Sequence, residues 1–209
     1  LSASDRQADE GSTDISDFVP KYMYEHNDEA PRKPPRSDPP SPSAVVGKVV
    51  QFSAEDLKRL KAKAMGDGKN GWVSTFEALS AYLFQVQFQA RSKLRETQGE
   101  QKKLLSDFLT PVNLRGPDRL ALGPVYFPNA LTCFSSTFAQ DVLLHEPLPA
   151  VARLMHELLR SCDADHERKS AQWVAALPDR TKIRNIYHHG PGSLMLSQWS
   201  AFDLHTDTH

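Results

Sequence analysis

Apolar residues recur at two spacings along this chain, and each spacing predicts a different kind of element. Val45-Val-Gly-Lys-Val-Val-Gln-Phe52 is dense in β-branched residues, which suit a pleated sheet surface, and predicts a strand. Ser53 follows as a helix cap, with Glu55 and Asp56 in the first turn and Leu57, Leu60 and Ala64 forming one apolar stripe. Gly66 and Gly68 end that helix, and Lys58, Arg59, Lys61 and Lys63 form its solvated face. Ser74 and Thr75 open the longest helix, running to about Glu96, with Phe76, Leu79, Leu83, Val86 and Ala90 at helical spacing. Glu77 falls in its first turn, where a carboxylate suits the positive end of the dipole. Strands are predicted from about Ser106 to Leu114 and from Leu131 to Ala139, separated by a Gly/Pro-rich turn at 116–124. Helices over about 148–161 and 164–177 follow, and Ser193 to Ser200 reads as a final buried strand delivered by Gly190-Pro-Gly-Ser193.

The order strand, helix, helix, strand, strand, helix, helix, strand predicts a mixed α/β fold with a central sheet flanked by helices. Residues 1–44 differ in kind. Pro31, Pro34, Pro35, Pro39, Pro40 and Pro42 crowd together among Asp, Glu and Ser, which disfavours helix and ladder and predicts an extended linker or crossover. Ile15 to Tyr24 is its one apolar island, able to pack on a globular surface. The domain reading is therefore a Pro-rich segment over 1–44 and one lobe over 45–209.

Composition narrows the function classes. Thirty-nine per cent hydrophobic residues in 209 suffice for a core, and a net charge of -1 with both signs interspersed offers no footprint for nucleic acid or an anionic membrane surface. No apolar run reaches the roughly 18–20 residues of a membrane span. The first residues lack the charged and apolar regions of a signal peptide. Two cysteines, Cys133 and Cys162, make neither a disulfide framework nor a zinc set and fit a reducing, cytoplasmic setting. The chain begins at Leu1 rather than Met, which fits either processing or excision from something longer.

Candidate catalytic groups are few. His205 and His209 share a zinc-helix spacing, but two Thr residues and the missing Glu between them argue for a frayed end. Asp163-Ala-Asp-His-Glu167 suits a capping segment better than a metal cluster, and His188-His189 reads as a pair of exposed loop imidazoles. Trp72, Trp173 and Trp199 are too dispersed for a base-stacking platform and read as core or interface residues. No metal site and no catalytic dyad emerges from spacing.

Three segments nevertheless resemble, in order, the C-terminal half of the BAHD-type CoA-dependent acyltransferases, especially fungal trichothecene O-acetyltransferase-like members. Val49 to Ala64 with Val73 to Phe84 matches a strand and helix and then a helix whose Ser/Thr start, here Ser74 and Thr75, lies near the CoA channel. Val112-Asn-Leu-Arg115 matches V-[DN]-x-R, and Tyr126-Phe-Pro-Asn129 matches Y-[FL]-G-N with Pro128 in the glycine place. Leu194 to Trp199 resembles the strand that leads into the family's D-F-G-W-G element. The resemblance implies one chloramphenicol-acetyltransferase-like α/β lobe and acyl transfer to an alcohol or amine acceptor, often in secondary metabolism. It implies acyl-CoA as co-substrate and no permanently bound cofactor. Ser74, Thr75 and Asn129 would face the cofactor, with Arg115, Tyr126 and Trp199 structural near the channel. The family's general base is the His of H-x-x-x-D, and none of the eight histidines here has Asp four positions on. No catalytic residue carries over, so the chain is expected to be the second lobe of such an enzyme, a fragment inactive alone. The alternative is a non-catalytic binding module derived from that lobe.

Overall fold

A computed structural model describes residues 15–26, 47–68, 71–99, 104–117, 119–123, 125–161 and 163–199. Its elements are β1 (Met23–Glu25), α1 (Ala54–Met65), α2 (Thr75–Gln98), β2 (Asp107–Asn113), β3 (Leu131–Thr137), α3 (Gln140–His145), α4 (Leu148–Arg160), α5 (Ala164–Ala176), β4 (Ile183–Asn185) and β5 (Leu194–Met195). β2 is central in a three-stranded sheet, antiparallel to β3 over seven residue pairs and parallel to β5, while β1 and β4 form a separate antiparallel pair. This is the mixed α/β lobe that the pattern predicts.

The core lies where α2 crosses β2. Phe84, Phe88, Phe108 and Phe134 are fully buried, and Phe84 contacts Phe108 and Phe138 with centroids 5.7 and 5.4 Å apart. α4 packs beside α2, and its Val151, Ala152 and Met155 are all fully buried. Burial of this kind contributes roughly 1.5–3 kcal/mol per large side chain, which makes α2 the framework helix of the lobe.

Three sequence expectations need correction. The buried face of α2 carries Glu77, Ala78, Ala81, Phe84, Gln85 and Phe88. The predicted stripe of Phe76, Leu79, Leu83, Val86 and Ala90 lies on the other side, half-buried to exposed. α2 is apolar on both faces, and the bulkier aromatic residues took the core. Residues 47–52 form no strand: Val49 and Val50 are 95% and 62% exposed, and among the described residues no strand pairs with them. A strand needs a ladder partner however strong its propensity.

The final strand is a two-residue edge rather than a buried run, with Met195 and Trp199 mostly exposed. Its ladder reaches Leu196, whose amide donates to the Leu109 carbonyl at 3.0 Å, and stops where the next donor on that edge of β2 would be Pro111. Proline has no N–H to give. The turn before β5 does fit the prediction. At Gly192, with φ +98°, a Cβ would come within 2.2 Å of the Leu105 carbonyl oxygen, so only glycine lets this turn pack against the chain ahead of β2.

β1, β4 and α3 had no sequence signal. The apolar island is held in place: Tyr22 stacks on Phe134 at 4.9 Å and bonds Ser161, and Lys21 Nζ donates to the Ser161 carbonyl at 2.6 Å. Among the described residues no helix is long and apolar enough to cross a membrane. Most of residues 1–44, Cys162, His205 and His209 lie outside the described residues.

Candidate functional site

Where α2 begins, β2 ends and α4 ends, they enclose a cavity of about 490 Å³. α2 supplies Ser74, Thr75, Phe76 and Glu77, β2 supplies Thr110 to Asn113, and Arg119, Arg160 and Gln198 complete the wall. The structure thus brings Ser74 and Thr75 together with the start of the V-N-x-R segment, although the two lie almost forty positions apart in the chain. A larger cavity of about 660 Å³ lies beside β3, between Tyr22, Phe138, Val142 and Leu158. None of the candidate site residues that the resemblance implies lines it, so the smaller cavity is the candidate site.

The start of α2 is built by a capping box. Ser74 Oγ accepts the Glu77 amide at 3.1 Å, and Glu77 Oε2 accepts the Ser74 amide at 2.5 Å. Those two bonds occupy both groups, so the first-turn amides of Thr75 and Phe76 are the donors without an intrahelical acceptor at the cavity. With the positive end of the helix dipole and with Arg119 and Arg160 in the lining, the wall suits an anionic or strongly hydrogen-bonding ligand. Arg119 is itself held in place: it donates to the Leu159 carbonyl at 3.0 Å and lies 5.3 Å from the Phe134 ring centroid.

Arg115 folds the loop between β2 and β3 back on itself. Its Nε donates to the Tyr126 carbonyl at 3.0 Å, one Nη to the Pro128 carbonyl at 2.8 Å and the other to Asn113 Oδ1 at 3.2 Å. Its guanidinium also lies 6.0 Å from the Tyr126 ring centroid. Pro128 contributes a carbonyl to this clasp, a role that its missing N–H does not impair. Asn129 turns its side chain to the Leu131 amide at 3.2 Å, at the base of β3. Asn129 and Tyr126 do not line the cavity, and Trp199 is exposed beside Gln198, which does.

Two carboxylate–imidazole pairs escaped the sequence reading because each joins residues some eighty positions apart. Glu77, only 2% exposed, accepts from His156 Nδ1 of α4 at 3.1 Å. Asp107, also buried, accepts from Thr137 Oγ1 at 2.6 Å, from the His188 amide at 2.7 Å and from His188 Nδ1 at 2.8 Å. Burial pushes the Asp107 carboxyl up, but those hydrogen bonds outweigh it and hold the group below the usual carboxylate range. His188 is thus an exposed imidazole with a buried acid behind it, more ordered than a free loop residue. The 163–167 segment is a cap as expected, Asp163 accepting the His166 amide at 2.9 Å. Among the described residues no three metal-ligating side chains converge.

Its likeness to solved structures gives this mixed α/β lobe the chloramphenicol-acetyltransferase-like fold. The family model described as Transferase family matches residues 8–206, and the chain belongs to that family. It is similar to the crystal structure of F. sporotrichioides TRI101 complexed with coenzyme A and T-2, at 26% identity and a TM-score of 0.57, over 71% of this chain and 34% of that one. F. graminearum TRI101 complexed with ethyl coenzyme A is similar at 25% identity and a TM-score of 0.54, over 72% and 33%. Among curated proteins, the eremophilane O-acetyltransferase ORF8 of Penicillium roqueforti (strain FM164) is 31% identical over 120 residues, 57% of this chain and 22% of that protein. The chain therefore spans about a third of the solved relatives and about a fifth of the curated one.

Proposed function

We propose that this chain is the second lobe of a CoA-dependent O-acyltransferase. It forms one wall of the channel in which an acyl group passes from acyl-CoA to an alcohol or amine of a small-molecule acceptor. The observation that carries the reading is the convergence of the Ser74-Thr75 helix start and Val112-Asn113 on one cavity with Arg119 and Arg160. First-turn amides and guanidinium groups there suit the phosphates and amides of acyl-CoA. Residues 1–44 are the crossover from the first lobe, and Arg115, Tyr126 and Asn129 shape the channel rim.

Acyl transfer needs a base to take the acceptor's hydroxyl proton as its oxygen attacks the thioester carbonyl. The H-x-x-x-D histidine that does this in the family has no counterpart in residues 1–209, so the base comes from the first lobe and this chain is inactive by itself.

The test is calorimetric titration of CoA into the purified chain, together with thiol release from acetyl-CoA in the presence of sesquiterpenoid alcohols. Binding without turnover is expected, with turnover appearing when a first lobe carrying H-x-x-x-D is co-expressed. Turnover by the chain alone would overturn its inactivity. Absence of both CoA binding and reconstituted turnover would overturn the acyltransferase reading.

A further inference from the structure

Glu77 poses a problem for a cavity suited to anions, because the residue is part of its lining. Extended into the cavity, it would place a negative charge beside the amides and arginines that a phosphorylated ligand needs. In the structure it is turned away. Oε2 takes the Ser74 amide at 2.5 Å and the His156 ring nitrogen Nδ1 at 3.1 Å, and the residue is 2% exposed.

The Ser74 bond belongs to the helix itself, whereas the His156 bond comes from another element 79 positions further on. His156 is in turn fixed in orientation. Its ring meets Trp72 edge to face at 6.4 Å, and Lys61 Nζ lies 4.7 Å from the Trp72 ring centroid on the way to α1. One turn beyond His156 on α4, Arg160 lines the cavity. One helix therefore brings a cation to the cavity and restrains the only carboxylate among the described residues that line it.

We propose that His156 is a positioning residue that holds the Glu77 carboxylate back over the Ser74 amide and so keeps the cavity receptive to an anion. Its neutral Nδ1–H tautomer and its imidazolium both donate to Glu77, so the restraint is a hydrogen bond and does not require a charged ring. The link to acyl-CoA rests on the functional reading above; the restraint of Glu77 does not. Two consequences separate this role from simple packing. Loss of the ring should release Glu77, expose the Ser74 amide and weaken anion binding together. Removing the charge that the ring restrains should then restore binding.

The experiment compares the wild-type chain with His156→Leu, His156→Gln and the double variant His156→Leu/Glu77→Gln. It measures amide exchange at Ser74 by NMR and CoA affinity by calorimetry. His156→Leu should speed Ser74 exchange and weaken CoA binding about tenfold each, the scale of one charge-assisted hydrogen bond. His156→Gln, whose amide can still donate, should lie near wild type, and the double variant should recover CoA affinity while Ser74 exchange stays fast. Unchanged Ser74 exchange in His156→Leu would overturn the proposal whether or not CoA binds. CoA binding that is weakened but not recovered in the double variant would overturn it too, leaving only packing. A wild-type chain that binds no CoA counts against the acyl-CoA reading alone, and the exchange rates then decide the role of His156.

Discussion

α1 and α2 begin with the same device in very different surroundings. Ser53 pairs with Asp56 and Ser74 with Glu77, each serine accepting the acid residue's amide and each acid accepting the serine's. Asp56 lies at the surface: its side chain is 43% exposed, and its further partner is Arg59 of the same helix, at 2.5 Å. Glu77 is buried, and its further partner arrives from α4. The cap itself is a product of four consecutive residues. What makes one of the two part of a cavity wall is tertiary, a matter of which helix packs behind it.

The bodies of the two helices should part most widely. Phe84→Ala removes a fully buried ring at the meeting of α2 with Phe88, Phe108 and Phe138 and should cost about 3–5 kcal/mol in urea unfolding. Leu57→Ala on α1 removes a side chain that is only half-buried and should cost about 1 kcal/mol. Equal losses would mean that α1 is as much framework as α2, and the contrast between the two helix starts would lose its structural basis.

That contrast also explains which parts of the molecule were legible in the sequence. α1, α2, α4, α5, β2 and β3 announced themselves because caps, periodicity and turn residues act over a few positions. β1 and β4 are three residues each and exist only by pairing across some 160 positions. The run from Leu79 to Ala90 misled because its spacing is more regular than that of Ala78, Ala81, Phe84 and Phe88, and periodicity cannot say which of two apolar faces the core will take. Among the residues that line the cavity, Ser74 and Thr75 were legible as a helix start and Asn113 lay in the run that carries the resemblance, whereas Arg115 of that run does not line it. Glu77 was visible only as a first-turn acid, and neither His156 behind it nor His188 behind Asp107 had any local signal.

The caps themselves should be equal in stability and unequal in function. Ser53→Ala and Ser74→Ala each remove one side-chain acceptor from a helix start and should each cost about 1 kcal/mol. Only Ser74→Ala should also change CoA affinity, since only that serine lines the cavity. Calorimetry on both variants checks this. A CoA affinity lowered as much by Ser53→Ala would place the ligand elsewhere or show that general loosening, not the helix start, weakens binding.

The smallest expected effect isolates the exposed box. The hydrogen bond from Ser53 Oγ pushes the Asp56 carboxyl down to about 2, with the Arg59 guanidinium and the Ser53 amide adding to it. The folded value lies below that of the unfolded chain, about 3.9. The box therefore adds stability that is fully present above about pH 4 and is lost as pH falls through about 2. An NMR titration of the Asp56 side-chain carbonyl should give a midpoint near 2, and Asp56→Asn should remove that part of the acid limb. In 1 M salt, where screening acts within about 3 Å, the share contributed by Arg59 should weaken while the two Ser53 bonds persist. The midpoint should then rise only part of the way toward 3.9. A complete rise would mean that the exposed box is held by its ion pair and not by its serine, and the likeness between the two helix starts would be one of sequence only.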